Sequence, residues 1–133
     1  VSDHGEEFLE HDGLLHGHTL YQELLHVPWL LAGPGVPARR VREQVSQVDL
    51  APTLLELCGL PFDREEFSGR SLVPLLRGTA SVERDLHAVL EDGKRHTLSL
   101  RRGPWKIVHG VQRGNTRLFD LENDPAEARD VSD

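Results

Sequence analysis

The sequence is poor in the features that would mark several common classes of protein. Its one cysteine, Cys58, cannot form an internal disulfide, which leaves the redox compartment open. The formal net charge of −7 argues against a broad basic surface for nucleic acid or anionic lipid. The longest apolar run, residues 27–35, has the length of a strand, whereas a membrane span needs roughly 18–20 residues. We therefore expect no nucleic-acid partner and no membrane span.

What is present is the composition of an ordinary globular domain. The 133 residues include 38% hydrophobic and 28% charged side chains, enough for one modest domain with a core of its own. The chain starts at Val1, inside the motif described below, so we expect it to be a piece of a longer polypeptide. For that reason, the lack of a recognisable signal peptide here excludes no compartment.

The first 80 residues carry the signals of helices and of one buried strand. Residues 19–25 predict a short amphipathic helix with its first residue as N-cap. The continuous apolar run over residues 27–32 predicts a strand that is buried on both faces. Asp49 is placed to cap a helix that runs to Cys58, and a further short helix is expected over residues 72–77.

After residue 80 the pattern changes to short alternating segments, separated by turn-forming pairs such as Asp92-Gly93 and Gly103-Pro104. Such a pattern is typical of an antiparallel meander. Asp124-Pro125 then predicts a short helix or turn. The strands are expected over residues 86–91, 97–101, 105–109 and 117–121. The fold class predicted from these patterns is α/β over residues 1–80, followed by a small antiparallel sheet over residues 81–133.

The stretch from Ser2 to Glu7 holds the most informative polar residues. A carboxylate beside an imidazole, as in Asp3-His4, suits a borderline divalent cation. Neighbouring side chains on a strand point to opposite faces, so the pair can bind one ion only where a strand ends and the chain turns. Gly5 permits such a turn. By spacing alone, a loop without function is the more common explanation.

Four more histidines, His11, His16, His18 and His26, follow in the same part of the chain. They are either metal ligands or members of a solvated loop. A closed zinc site built from this segment alone is disfavoured, because no cysteine lies nearby. Cys58 is expected to be a buried small hydrophobe in its helix, and not a nucleophile.

The order of the motifs is more specific than any one of them. The series comprises Ser2-Asp3-His4-Gly5-Glu6, Glu10-His11-Asp12-Gly13, residues 16–23, His26-Val27-Pro28, Gly33-Pro34-Gly35, residues 45–55, Gly69-Arg70-Ser71-Leu72, Trp105-Lys106-Ile107, Leu118-Phe119-Asp120-Leu121 and residues 123–127. Over essentially the whole chain, it resembles the C-terminal portion of type I sulfatases and their relatives, the phosphonate and phosphate diester hydrolases. The resemblance implies that residues 1–80 end an alkaline-phosphatase-like α/β sandwich and that residues 81–133 form a small antiparallel subdomain with a helix.

The resemblance also implies roles for particular residues. Asp3 and His4 match the later pair of ligands for a divalent metal, either calcium or manganese, zinc or magnesium. Histidine at position 4, where many sulfatases have asparagine, is more typical of the branch that includes phosphonate monoester hydrolases. His16 stands near a basic residue that contacts the sulfate and assists the leaving group, and His18 is the alternative for that task. Asp49 is expected to be a structural helix cap, and Trp105 to be a core residue.

The family's nucleophile is a formylglycine made from Cys or Ser within a Cys/Ser-x-Pro-x-Arg motif, which these 133 residues do not contain. The resemblance thus places the nucleophile in a missing N-terminal part, without which we expect no turnover. The expected partner is a small-molecule or glycan sulfate ester. The alternatives are a phosphodiester or phosphonate hydrolase of the same superfamily, and a non-catalytic module that binds a metal or a partner. Expressed alone, the chain is expected to be poorly soluble or to oligomerise, because residues 27–31 would lack neighbouring strands.

Overall fold

The structure is a computed structural model that describes residues 1–80 and 84–133. The described chain forms two compact units: Val1–Trp29 together with Asp85–Asp133, and Leu30–Arg84. The predicted division after residue 80 concerns the longer family fold and stays a prediction; its second part begins at residues 81–83, which lie outside the described residues. No helix in the described ranges is long and apolar enough to cross a membrane.

A four-stranded antiparallel sheet dominates the first unit, in the order β3-β4-β5-β6. Its strands are β3 (Leu86–Glu91), β4 (His96–Arg102), β5 (Trp105–Gly110) and β6 (Asn115–Asp120). The predicted meander is confirmed, because each strand pairs with the next along the chain. The turn between β4 and β5 has only two residues, and its Gly103 has a φ of 57°, a region that glycine enters without a steric penalty. After β6 the chain continues in turns, so the Asp124-Pro125 signal marks a turn and not a helix.

The register of β5 places its charged residue inside and its aromatic residue outside. Lys106 and Val108 are buried, whereas Trp105 is 47% exposed and Ile107 is exposed on the other face. The prediction that Trp105 is a core residue is therefore wrong. The reason is the two-residue turn, which pairs Arg102 with Trp105 and so fixes which side chains of β5 face inward.

The N-terminal part of this unit contains a short hairpin and one helical turn. The hairpin joins β1 (Glu7–Phe8) to β2 (Leu14–Leu15), and α1 spans Gln22–Leu25. The N-cap is Tyr21, two residues later than the predicted Thr19, whose hydroxyl donates to Glu7 instead of capping a helix. A core of Tyr21, Val108, Phe119 and Leu121 lies between this segment and the sheet.

The apolar run over residues 27–32 is not a strand. It lies outside both sheets of the described chain, and Leu30 is 81% exposed. A strand is stable only when a neighbouring strand satisfies its backbone groups, and the apolar composition of the run does not supply that neighbour. The prediction of a strand buried on both faces is wrong for the chain as described.

The second unit contains the helices α2 (Leu50–Leu57) and α3 (Val73–Leu76). Both confirm the sequence prediction within one or two residues, and Gly59 follows α2 with a φ of 66°. Cys58, by contrast, is exposed, so the expectation that it is buried is wrong. It lies at the C-cap, directly after the last residue of the helix.

Asp49 is structural, but not through the predicted cap of α2. Its carboxylate is fully buried and accepts hydrogen bonds from the backbone N–H groups of Ser46 and Arg70, at 2.9 Å each. Both of its oxygens also pair with the guanidinium of Arg84. The Thr53 hydroxyl donates to the Asp49 carbonyl at 2.6 Å. Asp49 therefore connects the turn before α2 to the segments at residues 70 and 84.

Candidate functional site

Asp3 and His4 direct one ligand atom each toward the same space. The Nδ1 atom of His4 lies 2.8 Å from the Gly5 carbonyl oxygen. A carbonyl only accepts, so Nδ1 carries the proton and Nε2 keeps its lone pair. That Nε2 atom is 3.7 Å from Oδ2 of Asp3. Backbone hydrogen bonds at Asp3 hold the pKa of its carboxyl below the ordinary value of 3.8, which favours the ionised form that a cation needs.

Gly5 fixes this pair against α1 by close approach. Its N–H donates to the Leu24 carbonyl at 2.9 Å. A Cβ at this position would lie 1.8 Å from the Glu23 carbonyl oxygen, which no rearrangement of a side chain could relieve. The glycine that was predicted to permit a turn is therefore required because another stretch of backbone passes directly over it.

His16 joins the same cluster through Glu6. The Nδ1 atom of His16 is 2.6 Å from Oε1 of Glu6, and the His16 ring lies 3.8 Å from the His4 ring, centroid to centroid. Ligand atoms of His4, Glu6 and His16 all lie within 4.8 Å of one another. The structure thus brings together the three residues predicted for the site, Asp3, His4 and His16. It adds Glu6, which the sequence analysis did not assign a role.

His18 lies in a second, buried pair with Glu7. Its Nε2 atom is 2.9 Å from Oε2 of Glu7, whose side chain is 0% exposed. The Glu7 carboxylate also accepts from the backbone N–H groups of His11 at 3.2 Å and Gly13 at 2.8 Å, and from the Thr19 hydroxyl at 3.2 Å. Burial by itself raises the pKa of Glu7, but these hydrogen bonds outweigh it and hold the pKa below the ordinary 4.5. His18 is thus hydrogen-bonded to the buried carboxylate of Glu7.

His11 belongs to this interior region. Its Nδ1 atom is 2.6 Å from Oε1 of Glu23, and its ring stacks on that of Tyr21 with centroids 3.5 Å apart. Glu7, His11 and Glu23 could together hold a metal by distance alone. Their donors and acceptors already satisfy one another, however, which makes the group a structural network. His26 is exposed at the end of α1.

A buried ion pair joins the N-terminal segment to the sheet. Nζ of Lys106 is 2.6 Å from Oε1 of Glu127 and donates to the Leu20 carbonyl at 2.6 Å. The other oxygen of Glu127 accepts from the Gln22 N–H at 2.6 Å. Burial lowers the pKa of Lys106, while Glu127 acts in the opposite direction. No local pattern predicts this pair, because Lys106 on β5 and Glu127 after β6 are distant in the chain and meet only in the folded protein.

The same fold, with a related sequence, occurs in sulfatases. The chain is 35% identical over 144 residues to arylsulfatase K of Homo sapiens, covering 98% of this chain and 26% of that protein. It is 29% identical over 142 residues to a Delta 4,5-hexuronate-2-O-sulfatase of Bacteroides thetaiotaomicron, covering 99% of this chain and 29% of that protein. A solved 2-O GAG sulfatase superposes with a TM-score of 0.84 at 28% identity, covering 98% of this chain and 30% of that one.

The fold is therefore the mixed α/β, antiparallel-sheet architecture found in the C-terminal part of sulfatases. The chain belongs to the family of the N-sulphoglucosamine sulphohydrolase C-terminal domain, whose model matches residues 10–133. The suspected sulfatase resemblance is confirmed. The chain spans less than a third of the length of each of the relatives named above.

Proposed function

We propose that this chain is the C-terminal part of a metal-dependent sulfuric ester hydrolase, in which Asp3 and His4 bind the divalent cation and His16 contacts the sulfate ester. The observation that carries this proposal is the convergence of the three residues in one partly exposed cluster. His4 and His16 are separated by the whole β1–β2 hairpin, yet their rings are 3.8 Å apart. Membership of the sulfatase family supplies the class of reaction.

The side chains of the cluster fit a cation. His4 offers Nε2 because its Nδ1 is bound to the Gly5 carbonyl, and Asp3 offers a carboxylate 3.7 Å away. The imidazole nitrogen suits zinc, whereas the carboxylate oxygen suits manganese, calcium and magnesium.

A cation bound here would polarise the sulfate oxygens and stabilise the charge that develops on them. His16 would then act on the leaving group. Its Nδ1 donates to Glu6, so in the imidazolium form the second proton is on Nε2, and that is the proton that could pass to the departing oxygen. The side chain is 49% exposed, so a substrate can reach it. An imidazole suits this task, because its ordinary pKa lies close to neutral pH.

The nucleophile and the substrate follow from the relatives. We place a formylglycine, with the remaining metal ligands, in the part of the fold that precedes this chain in the family. The two relatives whose names state a position are a hexuronate-2-O-sulfatase and a 2-O GAG sulfatase. A 2-O-sulfated hexuronate within an oligosaccharide is therefore the first substrate to test.

The test uses the full-length protein carrying a converted nucleophile. Sulfate release from a 2-O-sulfated hexuronate disaccharide and from an aryl sulfate is compared with hydrolysis of a phosphodiester and a phosphonate monoester. Asp3→Ala and His4→Ala are expected to lose both bound metal and activity. His16→Ala is expected to keep its metal and to lose about 10²–10⁴-fold in kcat.

Two outcomes would contradict the proposal. Faster hydrolysis of the phosphodiester or phosphonate than of any sulfate ester would favour the other branch of the superfamily, of which His4 is typical. Metal binding without hydrolysis of any of the four esters would favour a non-catalytic module. Glu122→Ala, an exposed carboxylate in the turn after β6, serves as the matched control.

A further inference from the structure

We propose that Glu6 is a positioning residue that fixes the orientation and the tautomer of His16. This inference rests on the proposed function for its consequence in catalysis, but its structural content can be tested separately. Three observations support it. They are the short contact between Glu6 and His16, the position of both residues at the open end of the first hairpin, and the nitrogen of His4 that Glu6 faces.

The contact itself determines the proton position. Oε1 of Glu6 lies 2.6 Å from Nδ1 of His16, and an ionised carboxylate can only accept. The proton of a neutral His16 must therefore be on Nδ1, with the lone pair on Nε2. A carboxylate that holds one ring nitrogen of a histidine fixes the tautomer and restrains rotation of the ring, so that the other nitrogen is presented in one direction.

The first hairpin brings the backbones of Glu6 and His16 close together. Glu7 pairs with Leu15, and Phe8 pairs with Leu14. Glu6 directly precedes these paired residues and His16 directly follows them, so the two side chains start from adjoining positions at the open end of the hairpin. Both residues adjoining Glu6 are immobilised, since Gly5 donates to the Leu24 carbonyl and Glu7 is fully buried. The backbone that carries Glu6 is therefore held in place on both sides.

The position of Glu6 relative to His4 argues against a role as a metal ligand. Its Oε1 atom is nearest to Nδ1 of His4, at 4.0 Å. That nitrogen donates to the Gly5 carbonyl. The nitrogen available to a metal, Nε2, is instead the one near Asp3. Glu6 thus faces the nitrogen of His4 that is already hydrogen-bonded, and its short contact is with His16.

The experiment compares Glu6→Ala and Glu6→Gln in the full-length protein, with Glu122→Ala as control. Selective ¹⁵N-histidine labelling and long-range ¹H–¹⁵N correlation spectra, recorded at a pH where histidine is neutral, report the tautomer of His16 without any need for turnover. His16→Ala identifies the signal. Metal content and the kcat and KM for the sulfate ester are measured on the same preparations.

The expected result is a single Nδ1–H tautomer in the unmodified protein, retained in Glu6→Gln because the amide oxygen can accept in the same place. Glu6→Ala is expected to show a mixture of tautomers and to lose about 10- to 100-fold in kcat, with little change in KM or metal content. Glu122→Ala should match the unmodified protein in every measurement.

Three results would overturn the proposal. One is an unchanged tautomer in Glu6→Ala, and another is a Glu6→Gln variant as impaired in kcat as Glu6→Ala. The third is loss of the metal from both Glu6 variants, which would make Glu6 a ligand. Failure of the proposed function is distinguishable, since it would appear as an unmodified protein that hydrolyses no sulfate ester yet shows the expected His16 tautomer.

Discussion

Glu6 and Glu7 are neighbours in the chain, and each holds one histidine, but in opposite surroundings. Glu7 is buried and accepts four hydrogen bonds, including that of His18. Glu6 and His16 are 35% and 49% exposed, and the second oxygen of Glu6 has no partner within the described chain. The comparison teaches that the same two residue types form a closed scaffold where every polar group is satisfied, and stay accessible where solvent reaches them, which is where we propose the reactive site.

The ion pair between Lys106 and Glu127 is buried like Glu7. Breaking it is expected to have the largest effect on the free energy of unfolding. Lys106→Ala leaves the Glu127 carboxylate buried without its cation, which typically costs about 3–5 kcal/mol. Urea unfolding followed by circular dichroism measures this loss. The double variant Lys106→Met, Glu127→Gln removes both charges and should recover much of the stability; equal stability of the single variant and the unmodified protein would contradict the assignment.

Glu7→Gln breaks the buried carboxylate pair itself. An amide has one acceptor oxygen and two donor hydrogens, so it cannot accept from the backbone of His11 and Gly13, from Thr19 and from His18 together. We expect a loss of about 1–3 kcal/mol, the usual cost of leaving buried groups unsatisfied. Thermal unfolding and amide hydrogen exchange of the β1–β2 hairpin measure the effect. An unchanged exchange rate at Gly13 would show that this pair does not hold the hairpin.

The pH dependence of stability tests the contribution of the buried Glu7. The folded pKa of Glu7 lies below its ordinary 4.5, so its stabilisation is fully present above about pH 4.5 and is lost as the pH falls through the folded value. Between neutral pH and about pH 3, the unmodified protein should therefore lose more thermal stability than Glu7→Gln does. Parallel melting-temperature curves for the two proteins would contradict this attribution.

The smallest effect on stability is expected for the exposed partner, Glu6. Glu6→Gln should change the free energy of unfolding by less than about 0.5 kcal/mol, because partly exposed pairs contribute little. Measured beside Glu7→Gln under the same conditions, it provides the matched comparison. A loss as large as that of Glu7→Gln would mean that both glutamates are scaffold, and the functional assignment of His16 would weaken.

Those features that depend on local signals were predictable from the sequence. The meander followed from alternating segments and turn-forming pairs, and α2 followed from an apolar helical pattern ended by Gly59. Asp3, His4 and His16 were singled out because of a carboxylate–imidazole pair and the order of the motifs. The roles assigned to these three residues in catalysis stay predictions, although their proximity is a structural finding.

Where the outcome depended on a distant partner, local signals failed. The apolar run over residues 27–32 lacks a strand beside it, the turn at Gly103-Pro104 placed Trp105 outside and Lys106 inside, and Cys58 is exposed at the end of its helix. The roles of Glu6, Glu7 and Glu127 depend on contacts made by the hairpin and the sheet. The sequence by itself determined the meander, α2, α3 and the residue types of the candidate site. The tertiary structure alone decided which carboxylates are buried and which are left accessible, because burial and pairing depend on segments that are remote in the chain.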